Sequence, residues 1–146
     1  MFKNILVPVD GSKHSRYAIE TAIDLAQCHN SHVFLLHVIR NLSLPKEILA
    51  MIKAGEVTES RAEILQNSAE IILENAQEKF TEAGLVKVQG AYLMGDPATK
   101  IFEYGEKKSV DLIVIGHRGL GPGGGLLGSV ARKLVNMTTI SVLIAT

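Results

Sequence analysis

Tryptophan is absent from this chain of 146 residues, and cysteine occurs once, at Cys28. A lone cysteine excludes an intrachain disulfide and a cysteine metal cluster, which fits a reducing compartment; Cys28 itself reads as a small residue of a helix core. Net charge is also missing, because fifteen acidic residues balance fifteen basic ones. That balance argues against broad, charge-driven binding to nucleic acid or to an anionic membrane surface. No apolar run approaches the length of a membrane span. The opening, Met1-Phe2-Lys3-Asn4-Ile5-Leu6-Val7, lacks the apolar stretch and small-residue cleavage site of a secretory signal. The expectation is a cytoplasmic protein with one domain over residues 1–146. His14, His29, His32 and His37 show no metal-ligand clustering and read as surface or strand residues.

Glycine, by contrast, is concentrated. Seven of the thirteen glycines fall between Gly116 and Gly128, directly after the apolar run Leu112-Ile113-Val114-Ile115. Such a short continuous run is the pattern of a strand buried on both faces of a parallel sheet. The glycines let the backbone lie close against a ligand, and Ser129 is placed to cap a helix through Ala131, Leu134 and Val135. A helix start after a glycine loop favours an anion. No acidic side chain follows Asp111, while Arg118, Arg132 and Lys133 are basic. A bound polyphosphate would therefore meet no carboxylate from this segment. Two familiar phosphate motifs fail here. Gly119, Gly121 and Gly124 spell the dinucleotide glycine pattern but lack the acidic residue about 20 positions later, and Gly128-Ser129 lacks the lysine of a Walker A loop.

Taken in order, residues 5–9 form a buried-type strand ending in Pro8-Val9-Asp10-Gly11-Ser12, with Ser12 capping a helix through Ala18, Ala22 and Leu25 or Ala26 that stops at Asn30. Residues 33–38 form the next strand. Residues 41–56 read as a mobile flap holding a short amphipathic helix through Ile48, Leu49 and Ile52. Leu65, Ala69, Ile72, Ala76 and Phe80 keep helical spacing across 58–83, with an acidic solvated face, and Gly84 ends that helix. Residues 86–93 are a third strand, after which Asp96 caps and Pro97 opens a helix with Ala98, Ile101 and Phe102 inward. Residues 112–115, the helix from Ser129 and the strand Ile140-Ser141-Val142-Leu143-Ile144 complete the alternation. This predicts an α/β fold: a doubly wound, parallel, five-stranded sheet flanked by about four helices. Ligands bind such sheets beyond the carboxyl ends of the strands where the order reverses. If the first and fourth strands flank that point, Asp10 faces the glycine loop across one crevice.

With these residues placed, the chain resembles, over essentially its whole length, a universal stress protein of the small, single-domain, nucleotide-binding kind. The resemblance rests on Asn4-Ile5-Leu6-Val7-Pro8-Val9-Asp10-Gly11-Ser12, Gly95-Asp96-Pro97-Ala98 and Asp111-Leu112-Ile113-Val114-Ile115-Gly116. ATP-binding members carry the motif G-x2-G-x9-G-S/T. Gly116, Gly119, Gly128 and Ser129 match it with a spacer of eight residues instead of nine, and Thr139-Ile140-Ser141 lacks the proline common before the family's last strand.

The resemblance implies an adenine nucleotide alpha hydrolase-like, Rossmann-like fold that binds ATP, or ADP or AMP, with Mg²⁺ held through the phosphates. It assigns Asp10 to the ribose hydroxyls, the Val38 backbone to the adenine edge, and Pro8 and Val9 to the base pocket. Gly116 and Gly119 pass beneath ribose and phosphates, and Gly128, Ser129 and Val130 bind phosphate. Ile115, His117 and Arg118 complete the candidate set, with His117 and Arg118 open between phosphate contact and solvent. The expected function is a nucleotide-gated regulatory module in stress response. The alternatives are a slow ATPase, for which no catalytic constellation is evident, and a nucleotide-independent interaction protein. An unpaired final strand would expose an apolar edge, so a homodimer through Ile140 to Ile144 is expected, with no nucleic acid or membrane partner.

Overall fold

The computed structural model describes residues 1–40, 59–117 and 127–146. The expected flap, and with it Arg118 and Gly119, lies outside the described residues. Strands β1 (Asn4–Pro8), β2 (His32–Arg40), β3 (Val88–Gly95), β4 (Leu112–Gly116) and β5 (Ser141–Ala145) alternate with helices α1 (Lys13–His29), α2 (Glu59–Glu82), α3 (Pro97–Lys107) and α4 (Ser129–Met137). The sheet order is β3-β2-β1-β4-β5 and every pairing is parallel. From β1 the chain winds outward through β2 to β3, then crosses to β4 and β5 on the other side. The order therefore reverses between β1 and β4, which meets the condition under which Asp10 faces the glycine loop's start.

Both sheet faces are covered, which is why the central strands are continuous apolar runs rather than alternating ones. Ile5, Val7, Val33, Leu35 and Val114 join α1 and α2 in one core, sealed by the fully buried Phe80. Leu6, Leu36, Ile113 and Ile115 join Ala98 and Ile101 of α3 and Ala131 and Leu134 of α4 in the other. Successive strand residues point to opposite faces, so one apolar run feeds both layers.

Helix ends follow their capping chemistry. The Ser12 hydroxyl accepts the Ser15 amide, and Asn30 closes α1 in the left-handed conformation at φ 53°. Asp96 caps α3 by accepting the Thr99 amide, with Pro97 in the first turn, where a missing N–H costs nothing.

Several expectations are corrected. Cys28 is exposed on α1 instead of lying in the helix core, because the core stripe of that helix is Ala18, Ile19, Ala22 and Ala26. Val135 is 41% exposed, since Leu134 takes the inward position of α4. β3 begins at Val88 instead of residue 86, and Val86 is 89% exposed before it. β5 starts at Ser141, one residue late, because Ile140 packs with the α3/α4 core and lies against Gly105 of α3.

Candidate functional site

A cavity of about 480 Å³ opens beyond the carboxyl ends of β1, β2 and β4. Pro8, Val9, Asp10, Val38, Ile115, Gly116, His117, Gly128, Ser129 and Val130 all line it. Thus ten of the twelve candidate residues from the sequence share one cavity, and the other two fall outside the described residues. Its volume lies in the range of about 300–1,000 Å³ typical of small-molecule sites.

One wall comes from the turn between β1 and α1. The Asp10 carboxylate accepts the Ser12 amide through Oδ1 at 2.9 Å, and the Ser15 hydroxyl accepts the Asp10 amide at 3.3 Å. These bonds fix the turn and leave Asp10 Oδ2 without a hydrogen bond among the described residues. Ser12, not Asp10, is the helix cap. That separation of duties frees one carboxylate oxygen for a ligand hydroxyl.

A second wall follows from strand parity. The Leu36 carbonyl accepts the Val9 amide, and the His32 amide donates to the Lys3 carbonyl, so even-numbered residues of β2 direct their backbone groups toward β1. In a strand the N–H and C=O of one residue point the same way and alternate between neighbours. Val38 lies two residues past Leu36 on the same side, yet β1 pairs with β2 only as far as Pro8 and Leu36. Val38 therefore presents a donor and an acceptor side by side where β1 has already ended. Adenine's edge, an acceptor ring nitrogen beside a donor amino group, is the complement of that pair.

The third wall is the junction of β4 and α4. The expected capping role of Ser129 is corrected: Gly128 is the cap, with φ −62° and ψ 158°, and Ser129 is the first helical residue, making no side-chain capping bond. Gly128 takes that role because its carbonyl accepts the Arg132 amide at 2.9 Å while its own amide is held by the His117 carbonyl at 2.8 Å. The first-turn amides of α4 thus lack a side-chain cap at the cavity wall, the arrangement that suits an anion. The same Gly128–His117 bond ties together the two ends of the glycine loop. The His117 amide donates to the Ala145 carbonyl of β5 at 3.0 Å, so the backbone of one residue joins α4 to the last strand.

Gly116 is required here for space. A Cβ on it would lie 2.6 Å from the His14 carbonyl oxygen and 2.7 Å from its carbon. α1 therefore starts close against the end of β4, which holds Asp10 beside the loop. The His14 ring lies 6.3 Å from that of His117, with its Nδ1 buried and without a hydrogen-bond partner among the described residues.

Other lining residues were not among the site candidates from the sequence: Ser12, Ser15, His37, Arg40, Leu65 and Ser68. His37 Nδ1 lies 2.8 Å from the Val9 carbonyl; a carbonyl only accepts, so the proton is on Nδ1. Parity along β2 was the signal that could have found Arg40. Lys133, counted in the sequence as a cation for phosphate, is instead paired with Asp96 at 2.9 Å, and the Arg132 guanidinium donates to the Leu127 carbonyl. The Lys133 bond, with help from Thr99, holds the Asp96 carboxyl at about 2, well below its usual 3.8. Among the described residues no three His, Cys, Asp or Glu side chains gather as a metal site. The available oxygens, one carboxylate and a few hydroxyls, fit Mg²⁺ carried on a ligand's phosphates rather than caged by protein. Among the described residues no helix is long and apolar enough to cross a membrane.

Comparison with known proteins places this geometry in context. The model of the universal stress protein family matches residues 1–146. Universal stress protein YxiE of Bacillus subtilis (strain 168) is 36% identical over 148 residues, with 99% of each chain covered. The solved structure of hypothetical protein MJ0577 aligns with a TM-score of 0.80 at 27% identity, over 99% of this chain and 96% of that one. A universal stress protein family protein of Arabidopsis thaliana, At3g01520, solved with AMP bound, shares the fold with a TM-score of 0.68 at 20% identity, over 98% of this chain and 90% of its own. The sheet order, the cavity at its reversal point and these whole-chain matches agree: the chain belongs to the universal stress protein family.

Proposed function

We propose that the protein is a cytoplasmic, single-domain regulatory module that binds ATP, or ADP or AMP, and works as a homodimer. The observation that carries this reading is the coincidence, in one cavity, of a donor–acceptor pair at Val38 and an uncapped helix start at Ser129. The first suits a base and the second a phosphate. Asp10 Oδ2 takes the ribose hydroxyls, Pro8 and Val9 flank the base, and Ile115, Gly116 and His117 floor the sugar. Gly128, Ser129 and Val130 hold phosphate through amides and the Ser129 hydroxyl; Gly119 keeps the role that the family motif implies for it. Mg²⁺ rides on the phosphate oxygens. The AMP found in the Arabidopsis relative is in keeping with this reading.

The His117 backbone supplies a route from nucleotide to assembly. Its carbonyl steadies the α4 start that receives phosphate, and its amide steadies β5. β5 ends the sheet, carries no charge over Ser141–Ala145, and directs the backbone groups of Val142 and Ile144 outward. Pairing with a second β5 satisfies those groups, so phosphate at α4 stiffens the same edge that a dimer uses.

The test is chromatography of nucleotides released on denaturing fresh protein, then calorimetry of the emptied protein with Mg-ATP and Mg-GTP. Guanine presents an acceptor oxygen where adenine presents its amino donor, and a protonated N1 where adenine presents its ring acceptor, and so loses both Val38 bonds. At about 1 kcal/mol for each hydrogen bond lost, the expected preference for ATP is at least about 30-fold. Failure of every adenine nucleotide to bind at millimolar concentration, or equal affinity for GTP, overturns the reading. Light scattering checks the dimer, and a monomer at micromolar concentration refutes it.

A further inference from the structure

The opposite edge of the sheet carries a feature that nucleotide binding does not use. β3 is the terminal strand there, eight residues long, Val-Gln-Gly-Ala-Tyr-Leu-Met-Gly, with no charge and no proline. Proteins normally blunt such an edge with lysine, proline or a covering element. Among the described residues none covers it. The Val33 amide donates to the Lys87 carbonyl, so odd-numbered residues of β3 face β2, and Val88, Gly90, Tyr92 and Met94 turn their N–H and C=O outward. Tyr92 is 37% exposed and Met94 57% exposed.

Above this edge runs a groove of about 300 Å³, lined by Glu70, Leu73, Glu74 and Gln77 of α2 and by Gly90, Ala91 and Tyr92 of β3. Gly90 opens it: a side chain there would stand 3.5 Å from Leu73 Cδ2 and fill the floor. The helical wall is of one sign. Glu70 and Glu74, one helical turn apart on this wall, are both exposed, and neither has a cation within salt-bridge distance among the described residues.

We infer that the β3 edge and its acidic groove form a docking site for an extended, basic segment of a partner protein, which adds a sixth strand beside β3. Main-chain bonds to Val88, Gly90, Tyr92 and Met94 give such a segment its register, and the lysines or arginines that alternate along it reach Glu70 and Glu74. The charge pattern selects the occupant. A second copy of this edge would bring its own row of glutamates toward the first, so self-pairing is repelled where a cationic strand is attracted. Nucleic acid is excluded by the same row.

The probe is a fluorescein-labelled hexapeptide alternating lysine and valine, compared with one alternating glutamate and valine. Binding is followed by anisotropy and by amide shifts in a ¹⁵N-labelled protein. The lysine peptide is expected to bind saturably below about 1 mM, shifting the Val88, Gly90, Tyr92 and Met94 amides, while the glutamate peptide does not. The double variant Glu70→Lys, Glu74→Lys is expected to weaken the lysine peptide at least tenfold with an unchanged unfolding midpoint; these side chains are exposed, so folding is not at stake. A lysine peptide with backbone N-methylation on alternate residues separates strand addition from simple charge attraction, and must bind more weakly. Equal binding of both peptides, shifts confined to other surfaces, or self-association through β3 in place of peptide binding each overturns the inference. Nucleotide affinity is untouched in the double variant, so failure here is distinguishable from failure of the nucleotide site.

Discussion

Replacing Asp96 isolates the bond that ties α3 to α4. Its carboxylate accepts the Thr99 amide at 3.1 Å and the Thr99 hydroxyl at 2.7 Å, and pairs with Lys133 at 2.9 Å. These bonds lower its pKa from 3.8 to about 2. At about 1.4 kcal/mol per unit, a shift of that size would be worth about 2.5 kcal/mol at neutral pH. With 49% of the side chain exposed, solvent screening reduces this to about 1 kcal/mol. Asparagine still caps a helix, so Asp96→Asn removes the charge alone and is expected to lower Tm by about 4 °C at pH 7. Alanine removes the cap as well and is expected to lower it by about 8 °C. The sign with pH follows from the depressed pKa. The stabilisation is complete above the ordinary 3.8 and disappears as pH falls through about 2. Calorimetric melts of wild type and Asp96→Asn should therefore differ at pH 7 and 5 and converge near pH 2. Lys133→Met should reproduce most of the asparagine effect at pH 7 and add little to it in the double variant. An Asp96→Asn protein that melts like wild type at pH 7, or a gap that persists to pH 2, refutes the reasoning.

Further outcomes follow from the same coordinates. Gly116→Ala places a Cβ 2.6 Å from the His14 carbonyl oxygen, a backbone atom that cannot rotate away; an expected loss of about 1–3 kcal/mol in urea unfolding checks the close approach, and an unchanged midpoint contradicts it. Phe80→Ala empties the fully buried anchor of α2 and should cost about 3–5 kcal/mol in the same assay, whereas a loss below 1 kcal/mol would mean that α2 is not clamped to the sheet there. Asp10→Asn keeps the Ser12 contact through the amide oxygen while removing the charge, so ATP affinity should fall about tenfold in calorimetry with little change in Tm; equal affinity would detach Asp10 from the ribose. Val142→Pro removes an outward-facing amide of the β5 edge without taking a bond from β4, and should convert a dimer to a monomer in light scattering; a persistent dimer would place its interface elsewhere.

The fold was legible because each layer of a parallel sheet writes its own local signal. Runs such as Leu112 to Ile115 are apolar on both faces only when helices cover both, and Ser12, Asn30 and Asp96 end or begin helices by chemistry confined to a few neighbours. Side-chain environments were legible only where periodicity decided them. Cys28 and Val135 are apolar residues just off the inward stripe, and the pairing of Lys133 with Asp96 spans 37 positions that no local pattern links.

The candidate site shows the same division. Asp10, Gly116 and Gly128 announce themselves as turn and close-approach residues, whereas the Val38 wall of the cavity depends on where two strands stop relative to each other. β2 runs on to Arg40 because its partner β3 continues beside it to Gly95, while β1 breaks off at Pro8, which itself has no amide to donate. Residues 33–38 read as the strand, so its end at Arg40 lies two residues beyond where the local pattern marks it. That overhang carries Val38 past the end of β1, with its donor and acceptor unpaired at the cavity among the described residues. A strand shortened to match β1 would take Val38 and the buried Ile39 out of the core and lose the donor–acceptor edge proposed for the base.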